Sequence, residues 1–157
     1  MSSRCFYAPN YTTYALFTAD VLEYISQHVQ RRWFSKEAGG ELFSPAPNDD
    51  GLLISVACGP NSTDIRGRYY FNPDVNASME ARQFQAKQNL YPVGLWHTHP
   101  SSRPIPSVQD REVAMEYLKA LEGDVIRYLM VTVGNSIRPV SISVWVATVH
   151  SWVQWYE

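Results

Sequence analysis

The hydrophobic positions near the start of the chain change from a strand pattern to a helical one. Residues 14–17 predict a short strand, and Thr18 is typical of a residue that caps the start of a helix. The apolar face of that helix recurs at steps of three and four residues: Val21, Leu22, Ile25, Val29 and Trp33. Gly39 and Gly40 then end the helix and open a strand over 41–44. A turn over 45–51 leads to a β-rich segment, 52–58, which we expect to pair with that strand.

The second part of the chain alternates helical and strand patterns. After the irregular segment 59–76, residues 77–89 predict a helix that packs through Met79, Phe84 and Ala86. Residues 91–99 predict a strand, and a proline-rich loop over 100–106 follows it. A helix is expected over 107–121, because Ser107 and Asp110 have capping-box spacing at its start.

The chain ends in two more predicted strands, 127–133 and 140–149, joined by a turn at Gly134 and Asn135. The order of elements predicts an α/β (α+β) domain in which helices flank a mixed central β-sheet. The aromatic residues near the C-terminus are expected to cover the last sheet edge rather than to form an interface: Trp145, Trp152, Trp155 and Tyr156.

Composition narrows the classes of function. A chain of 157 residues predicts one domain over 1–157, and 45% apolar residues exclude a disordered chain. A net charge of −2 argues against nucleic acid as a partner, and the chain has no apolar run long enough to span a membrane. Cys5 and Cys58 form no CxxC pair, and the N-terminus lacks a signal-like segment. We therefore expect reduced, mostly buried thiols and a cytoplasmic protein.

The segment that carries chemistry begins with His97 and His99 at the end of a predicted strand. Strand side chains alternate between faces, so both imidazoles point the same way and can converge on one ion. Asp110, on the first turn of the next helix, adds a carboxylate. Two histidines and one aspartate leave a fourth position for water, which is typical of catalytic zinc. Taken singly, the same residues also fit a solvated strand face and a helix start.

A proton shuttle is also needed for amide hydrolysis, and Glu37 is the candidate, because the two glycines that follow it permit close backbone approach to a site. The alternative is that Glu37 is one more solvated charge after a helix.

These residues resemble the JAMM signature of the JAB/MPN zinc metalloprotease family. The signature has an upstream Glu, then His-x-His, seven residues, Ser, two residues and Asp, as in Glu37, His97, His99, Ser107 and Asp110. The resemblance extends from about residue 14 to about residue 149 and implies a cytidine-deaminase-like fold. It implies that the two histidines and the aspartate hold one Zn²⁺ with a bound water, that Glu37 is the general base and acid, and that Ser107 donates to the oxyanion.

The chain is most similar to small bacterial JAMM peptidases of ubiquitin-like conjugation operons, including antiphage operons of the CBASS and Bil types. It departs from many relatives at Glu41 and Ser44, where they have a small apolar residue and a glycine. The resemblance implies an isopeptidase that cuts after the C-terminal tail of a ubiquitin-like or conjugated protein, with activating-enzyme-like and conjugating-enzyme-like proteins as further partners. Two alternatives stay open: processing of a sulfur-carrier precursor, and a non-hydrolytic zinc-containing module that binds a ubiquitin-like protein.

Overall fold

The computed structural model describes residues 1–137 and 139–157. Within them the helices are α1 (Ala19–Ser26), α2 (Val75–Ala86) and α3 (Val108–Ala120). The strands are β1 (Arg4–Tyr7), β2 (Tyr14–Phe17), β3 (Gly39–Ser44), β4 (Gly51–Ile54), β5 (Val56–Ala57), β6 (Ile65–Arg66), β7 (Phe71–Asn72), β8 (Tyr91–Thr98), β9 (Tyr128–Val133), β10 (Ile142–Ala147) and β11 (Trp152–Trp155). None of these described helices has the length and apolar character needed to cross a membrane.

A six-stranded mixed sheet forms the centre of the molecule. Its order is β11-β10-β9-β8-β3-β5, and its only parallel pair is β8 with β9. A smaller sheet has the order β1-β2-β4, while β6 and β7 form a separate two-stranded ribbon. The predicted mixed α/β fold with helices around a central sheet is therefore confirmed.

Two apolar clusters lie on opposite faces of the large sheet. Along β9, Leu129, Val131 and Val133 belong to the cluster that includes the buried face of α1, whereas Tyr128 and Met130 belong to the cluster under α3. A strand covered on both faces is apolar at nearly every position, as this one is. Through Ala114 and Leu118, α3 therefore packs on the sheet next to β8.

The first helix is shorter than its apolar pattern predicts. It ends at Ser26, and Trp33, expected on the buried face, is 81% exposed. The following loop is directed inward by the buried Gln30, whose amide donates to the carbonyls of Ser35 and Arg68. These tertiary bonds require a non-helical path, so the prediction for Trp33 is wrong.

The second helix begins earlier than predicted and buries little apolar surface. Asp74 caps it, with a carboxylate oxygen accepting from the Ala77 N–H at 2.9 Å. Met79 and Phe84 are 53% and 61% exposed, and Ala86 is also exposed, so their predicted packing is wrong. The one buried residue of α2 is the polar Gln85.

The segment 52–58 is divided between two sheets at Ser55. β4 pairs in parallel with β2, while β5 pairs with β3 as expected. The ribbon β6–β7 lies within the segment predicted to be irregular, and β1 was not predicted. A two-residue strand is too short to carry a periodic pattern.

The C-terminal aromatic residues cover the sheet edge, as expected. Trp152 and Trp155 lie on the edge strand β11, and Trp155 is buried. Trp145, on the neighbouring strand β10, stacks on Trp152 with ring centroids 5.5 Å apart. Tyr156 pairs with Tyr7 through a β-bridge. Both cysteines are free, as predicted, but they are half-buried rather than buried.

Candidate metal centre and cleft

The end of β8 brings two imidazoles together. His97, the seventh residue of this strand, is 7% exposed, and the His99 N–H donates to the Val133 carbonyl at 2.9 Å. Because alternate strand residues share a face, the two Nε2 atoms lie 2.8 Å apart. The β-ladder with β9 therefore sets the direction of both rings.

The first turn of α3 supplies a carboxylate to the same place. The Ser107 Oγ accepts from the Asp110 N–H at 3.1 Å, and the Ser107 N–H donates to Asp110 Oδ2 at 2.6 Å, which completes a capping box. The same Oδ2 lies 3.4 Å from His97 Nε2 and 3.7 Å from His99 Nε2. The capping box thus fixes the carboxylate that faces the histidines.

Charge and burial set the protonation of these groups. Burial opposes ionisation of Asp110, but hydrogen bonding and charge from His97, with the bonds to Ser107, outweigh it and lower its pKa to about 2. Burial, with the nearby His97, lowers the pKa of His99 to about 4. A carboxylate and a neutral imidazole are the forms in which these groups bind a metal.

The donor set fits zinc. One ligand atom from each of His97, His99 and Asp110 lies within 4.8 Å of the others. Ligand atoms of tetrahedral zinc are separated by about 3.3 Å for bonds of 2.0–2.1 Å. The two nitrogen–oxygen distances are close to this value, and the nitrogen pair needs only to open slightly. Two nitrogens and one oxygen leave one tetrahedral position for a fourth ligand.

Glu37 lies just ahead of β3, beside the histidine-bearing strand. Its N–H donates to the Gly67 carbonyl at 2.7 Å, and its own carbonyl accepts from Arg66 Nη1 at 3.2 Å. Its side chain is buried, and this burial raises its pKa to about 7, against the attraction of His97. A carboxyl group with a pKa near neutrality is suited to both accepting and donating a proton.

A buried polar network ties Glu37 to the histidines. The Ala38 N–H donates to Thr98 Oγ1 at 3.0 Å, and the Thr98 N–H donates to the Ala38 carbonyl at 2.8 Å. Thr98 Oγ1 in turn donates to Gln30 Oε1 at 3.0 Å. Gln30 and Thr98 were not predicted as site residues, because a polar residue in a loop and a threonine in a strand carry no local signal of burial.

The two glycines after Glu37 allow the close approach that the sequence predicts. A Cβ atom at Gly39 would lie 2.7 Å from the Trp96 carbonyl oxygen, and one at Gly40 would overlap the Cys58 carbonyl. Gly39 is the register partner of His97 in the antiparallel pair of β3 and β8. Side chains at these positions would push the strands apart.

The structure places all five predicted site residues around one cleft of about 550 Å³: Glu37, His97, His99, Ser107 and Asp110. Its other walls come from the ribbon β6–β7, the start of α2 and α3. Tyr69 and Tyr70, which the sequence analysis did not select, line the cleft beside Trp96. Glu41, noted as a departure from relatives, is 5% exposed at the cleft wall and binds Arg82 through both carboxylate oxygens at 2.8 and 2.9 Å.

Comparison with known proteins identifies the family of this chain. The family model described as prokaryotic homologs of the JAB domain matches residues 18–152, so the chain belongs to that family. The resemblance to the JAB/MPN family seen in the sequence is therefore confirmed.

Two curated relatives carry the name CD-NTase/cGAS isopeptidase. The one from Pseudomonas aeruginosa is 36% identical over 98 residues, covering 60% of this chain and 61% of the relative. The one from Vibrio cholerae is 36% identical over 110 residues, covering 59% of this chain and 66% of the relative. The aligned part thus spans less than two thirds of either relative.

Solved structures support the fold alone. A protein from Desulfitobacterium hafniense has a TM-score of 0.64 at 16% identity, covering 88% of this chain and 87% of that one. A protein from Salinibacter ruber has a TM-score of 0.53 at 19% identity, covering 88% and 86%.

Proposed function

We propose that this protein is a cytoplasmic zinc isopeptidase of a bacterial ubiquitin-like conjugation pathway linked to CD-NTase antiphage defence. It hydrolyses the bond after the C-terminal tail of a ubiquitin-like or conjugated protein. Its partners are that protein or its conjugate and the activating-enzyme-like and conjugating-enzyme-like proteins of the same pathway.

One observation carries this proposal. A buried carboxyl group, Glu37, shares a cleft with a His97, His99 and Asp110 cluster whose ligand atoms lie within 4.8 Å. Hydrolysis of an amide by a metalloenzyme requires a metal with one coordination position left for water and, in the same cleft, an acid whose pKa lies near neutral pH. The name of the two curated relatives, CD-NTase/cGAS isopeptidase, supports the same reaction and the same pathway.

The chain supplies the proton transfers and the oxyanion contact. Zinc held by the two histidines and Asp110 would supply Lewis acidity to water and to the scissile carbonyl. Glu37 takes a proton from the attacking water as the carbon–oxygen bond forms. Glu37 then gives that proton to the lysine amine as the carbon–nitrogen bond breaks. The Ser107 hydroxyl, whose oxygen accepts from the Asp110 N–H, keeps its own proton free to donate to the oxyanion.

The test is cleavage of tail fusions by matched variants. Wild type and Glu37→Gln are incubated with fusions that join the tail of a ubiquitin-like protein or of a CD-NTase to a lysine of a second protein, and the cut is mapped by mass. Wild type is expected to cut after the tail, and Glu37→Gln to lose activity while retaining zinc by elemental analysis. Glu23→Gln, an exposed change on α1, is the control and keeps full activity.

Three results contradict the proposal. Zinc and modifier binding without turnover on any fusion would favour the binding-module alternative. Cleavage restricted to linear precursors, with a Gly-Gly end released, would favour sulfur-carrier processing. If freshly purified wild-type protein contains no zinc, and His97→Ala has the same zinc content as wild type, the metal site is excluded.

A further inference from the structure

We infer that a basic, aromatic surface beside the cleft docks an acidic face of the folded substrate domain that precedes the scissile tail. This surface comprises residues 31–36 and 65–70, and it is called the basic aromatic surface below. The inference rests on the proposed function and adds the part of the substrate that lies outside the cleft.

The two segments form one continuous surface. Arg68 Nη1 donates to the carbonyls of Arg32 and Trp33 at 3.0 and 2.6 Å, and Gln30 Nε2 donates to the Arg68 carbonyl at 2.8 Å. Since Gln30 is buried and also bonds Thr98, the surface is attached to the strand that carries the histidines. It is therefore held in a fixed position relative to the cleft.

The aromatic side chains of this surface point to a partner. Trp33 is 81% exposed and Tyr69 is 74% exposed, and Phe34 and Tyr70 are exposed as well. Trp33 packs edge-on against Phe34 with ring centroids 5.7 Å apart, Arg32 lies 5.6 Å from the Phe34 ring and Arg68 lies 5.5 Å from the Tyr69 ring. Aromatic residues combined with arginine are enriched in protein interfaces, and a cluster of exposed large apolar groups marks a binding site.

The charge of the surface defines the chemistry of that partner. The two segments contain no acidic residue and carry five of the thirteen basic ones: Arg31, Arg32, Lys36, Arg66 and Arg68. None of these five forms an ion pair among the residues that the structure describes. The rest of the chain is acidic, since all fifteen carboxylate residues lie there. An acidic protein face is complementary to this local charge.

The cleft, which would hold the substrate tail, adjoins the basic aromatic surface. Tyr69 and Tyr70 belong to both, and the Glu37 N–H donates to the Gly67 carbonyl inside the surface. An extended tail that lies along the ribbon β6–β7 leads from the metal centre to these residues. The folded domain before the tail then rests on the basic aromatic surface. Single-stranded nucleic acid fits less well, because the chain carries a net charge of −2 and only five of its thirteen basic residues belong to this surface.

The experiment compares a folded substrate with its tail alone. The variants are Arg31→Glu with Lys36→Glu, and Trp33→Ser, all at exposed positions. The control, Lys87→Glu with Lys119→Glu, makes the same change in net charge at exposed sites outside the surface. Each protein is assayed on the full-length fusion and on a fluorogenic peptide of the same tail, at low and high salt.

For the full-length fusion, the surface variants are expected to raise KM about tenfold at low salt with kcat unchanged. The difference for the charge variant shrinks at high salt because screening weakens the attraction. On the peptide, both variants and the control are expected to match wild type, because the tail meets the surface only at its β6–β7 side and does not reach Arg31, Trp33 or Lys36.

Three outcomes overturn the inference. Equal KM values for wild type and the surface variants on the full-length fusion exclude docking there. Equal losses on fusion and peptide show that the variants damage the cleft instead. Binding of a labelled single-stranded oligothymidine that the variants abolish, with unchanged KM for the fusion, assigns the surface to nucleic acid. If wild type cuts neither substrate, the proposed function itself is wrong and the inference falls with it.

Discussion

The pKa of the Glu37 carboxyl group connects the proposed catalysis with the stability of the fold. Burial raises this pKa from about 4.5 to about 7. Between these two pH values the unfolded chain has released the proton and the folded chain still holds it, so stability falls as pH rises. The ionised group therefore destabilises the zinc-free fold by on the order of 2–3 kcal/mol above neutral pH.

Glu37→Gln is expected to remove this loss of folding stability at high pH, because glutamine does not ionise. In zinc-free protein, urea unfolding at pH 5 and pH 8 should show wild type losing stability between the two pH values and Glu37→Gln losing markedly less. Glu23→Gln is the control, since it changes an exposed carboxyl group of α1. Parallel pH dependence in wild type and Glu37→Gln would contradict the assignment of the raised pKa to Glu37.

Ser107 combines a structural and a catalytic contact in one hydroxyl group. Ser107→Ala is expected to remove the N-cap of α3, at a cost of about 1 kcal/mol, and to lower kcat by about a hundredfold or more through loss of the oxyanion donor. Asp74→Ala removes the N-cap of α2 and is the matched control, with a similar loss of stability and little change in kcat. Equal losses of kcat in the two variants would mean that Ser107 acts only as the N-cap of α3.

At the scale of elements, α2 depends on one ion pair. Gln85 is its only buried residue, whereas Arg82 binds both oxygens of Glu41 and its guanidinium lies 5.2 Å from the Tyr117 ring. This pair joins α2 to β3 and α3, and its Glu41 and the neighbouring Tyr117 line the cleft. A buried carboxylate without its partner is strongly unfavourable.

Arg82→Met is therefore expected to destabilise the protein by about 3 kcal/mol, measured by urea unfolding. Lys87→Met, at an exposed position at the end of the same helix, should change stability by less than about 0.5 kcal/mol. A double-mutant cycle with Glu41→Gln should show that the two effects are not additive. Additive effects would mean that Arg82 acts through contacts other than Glu41.

At the scale of the whole molecule, the apolar core is built without the metal ligands. The two clusters are made of apolar side chains from the sheets, α1 and α3. Removal of zinc with a chelator is expected to abolish activity and to lower Tm, because a bound ligand stabilises the native state. The far-UV circular dichroism and cooperative unfolding should persist. Loss of cooperative unfolding in the chelated protein would mean that the metal is structural.

The sequence by itself determined the features that depend on local geometry. The capping box of α3 follows from Ser107 and Asp110 three residues apart, and the shared direction of His97 and His99 follows from strand alternation. The strand pattern over 127–133 likewise predicted β9. These signals are reliable because each involves residues only a few positions apart.

The tertiary structure decided what depends on distant partners. It ended α1 before Trp33 because Gln30 bonds Ser35, Arg68 and Thr98, and it left the apolar side chains of α2 exposed because Arg82 and Gln85 make the inward contacts. It also buried Glu37 beside the histidines, through the pairing of β3 with β8. Such contacts join residues far apart in the chain, and their energies do not follow from local spacing.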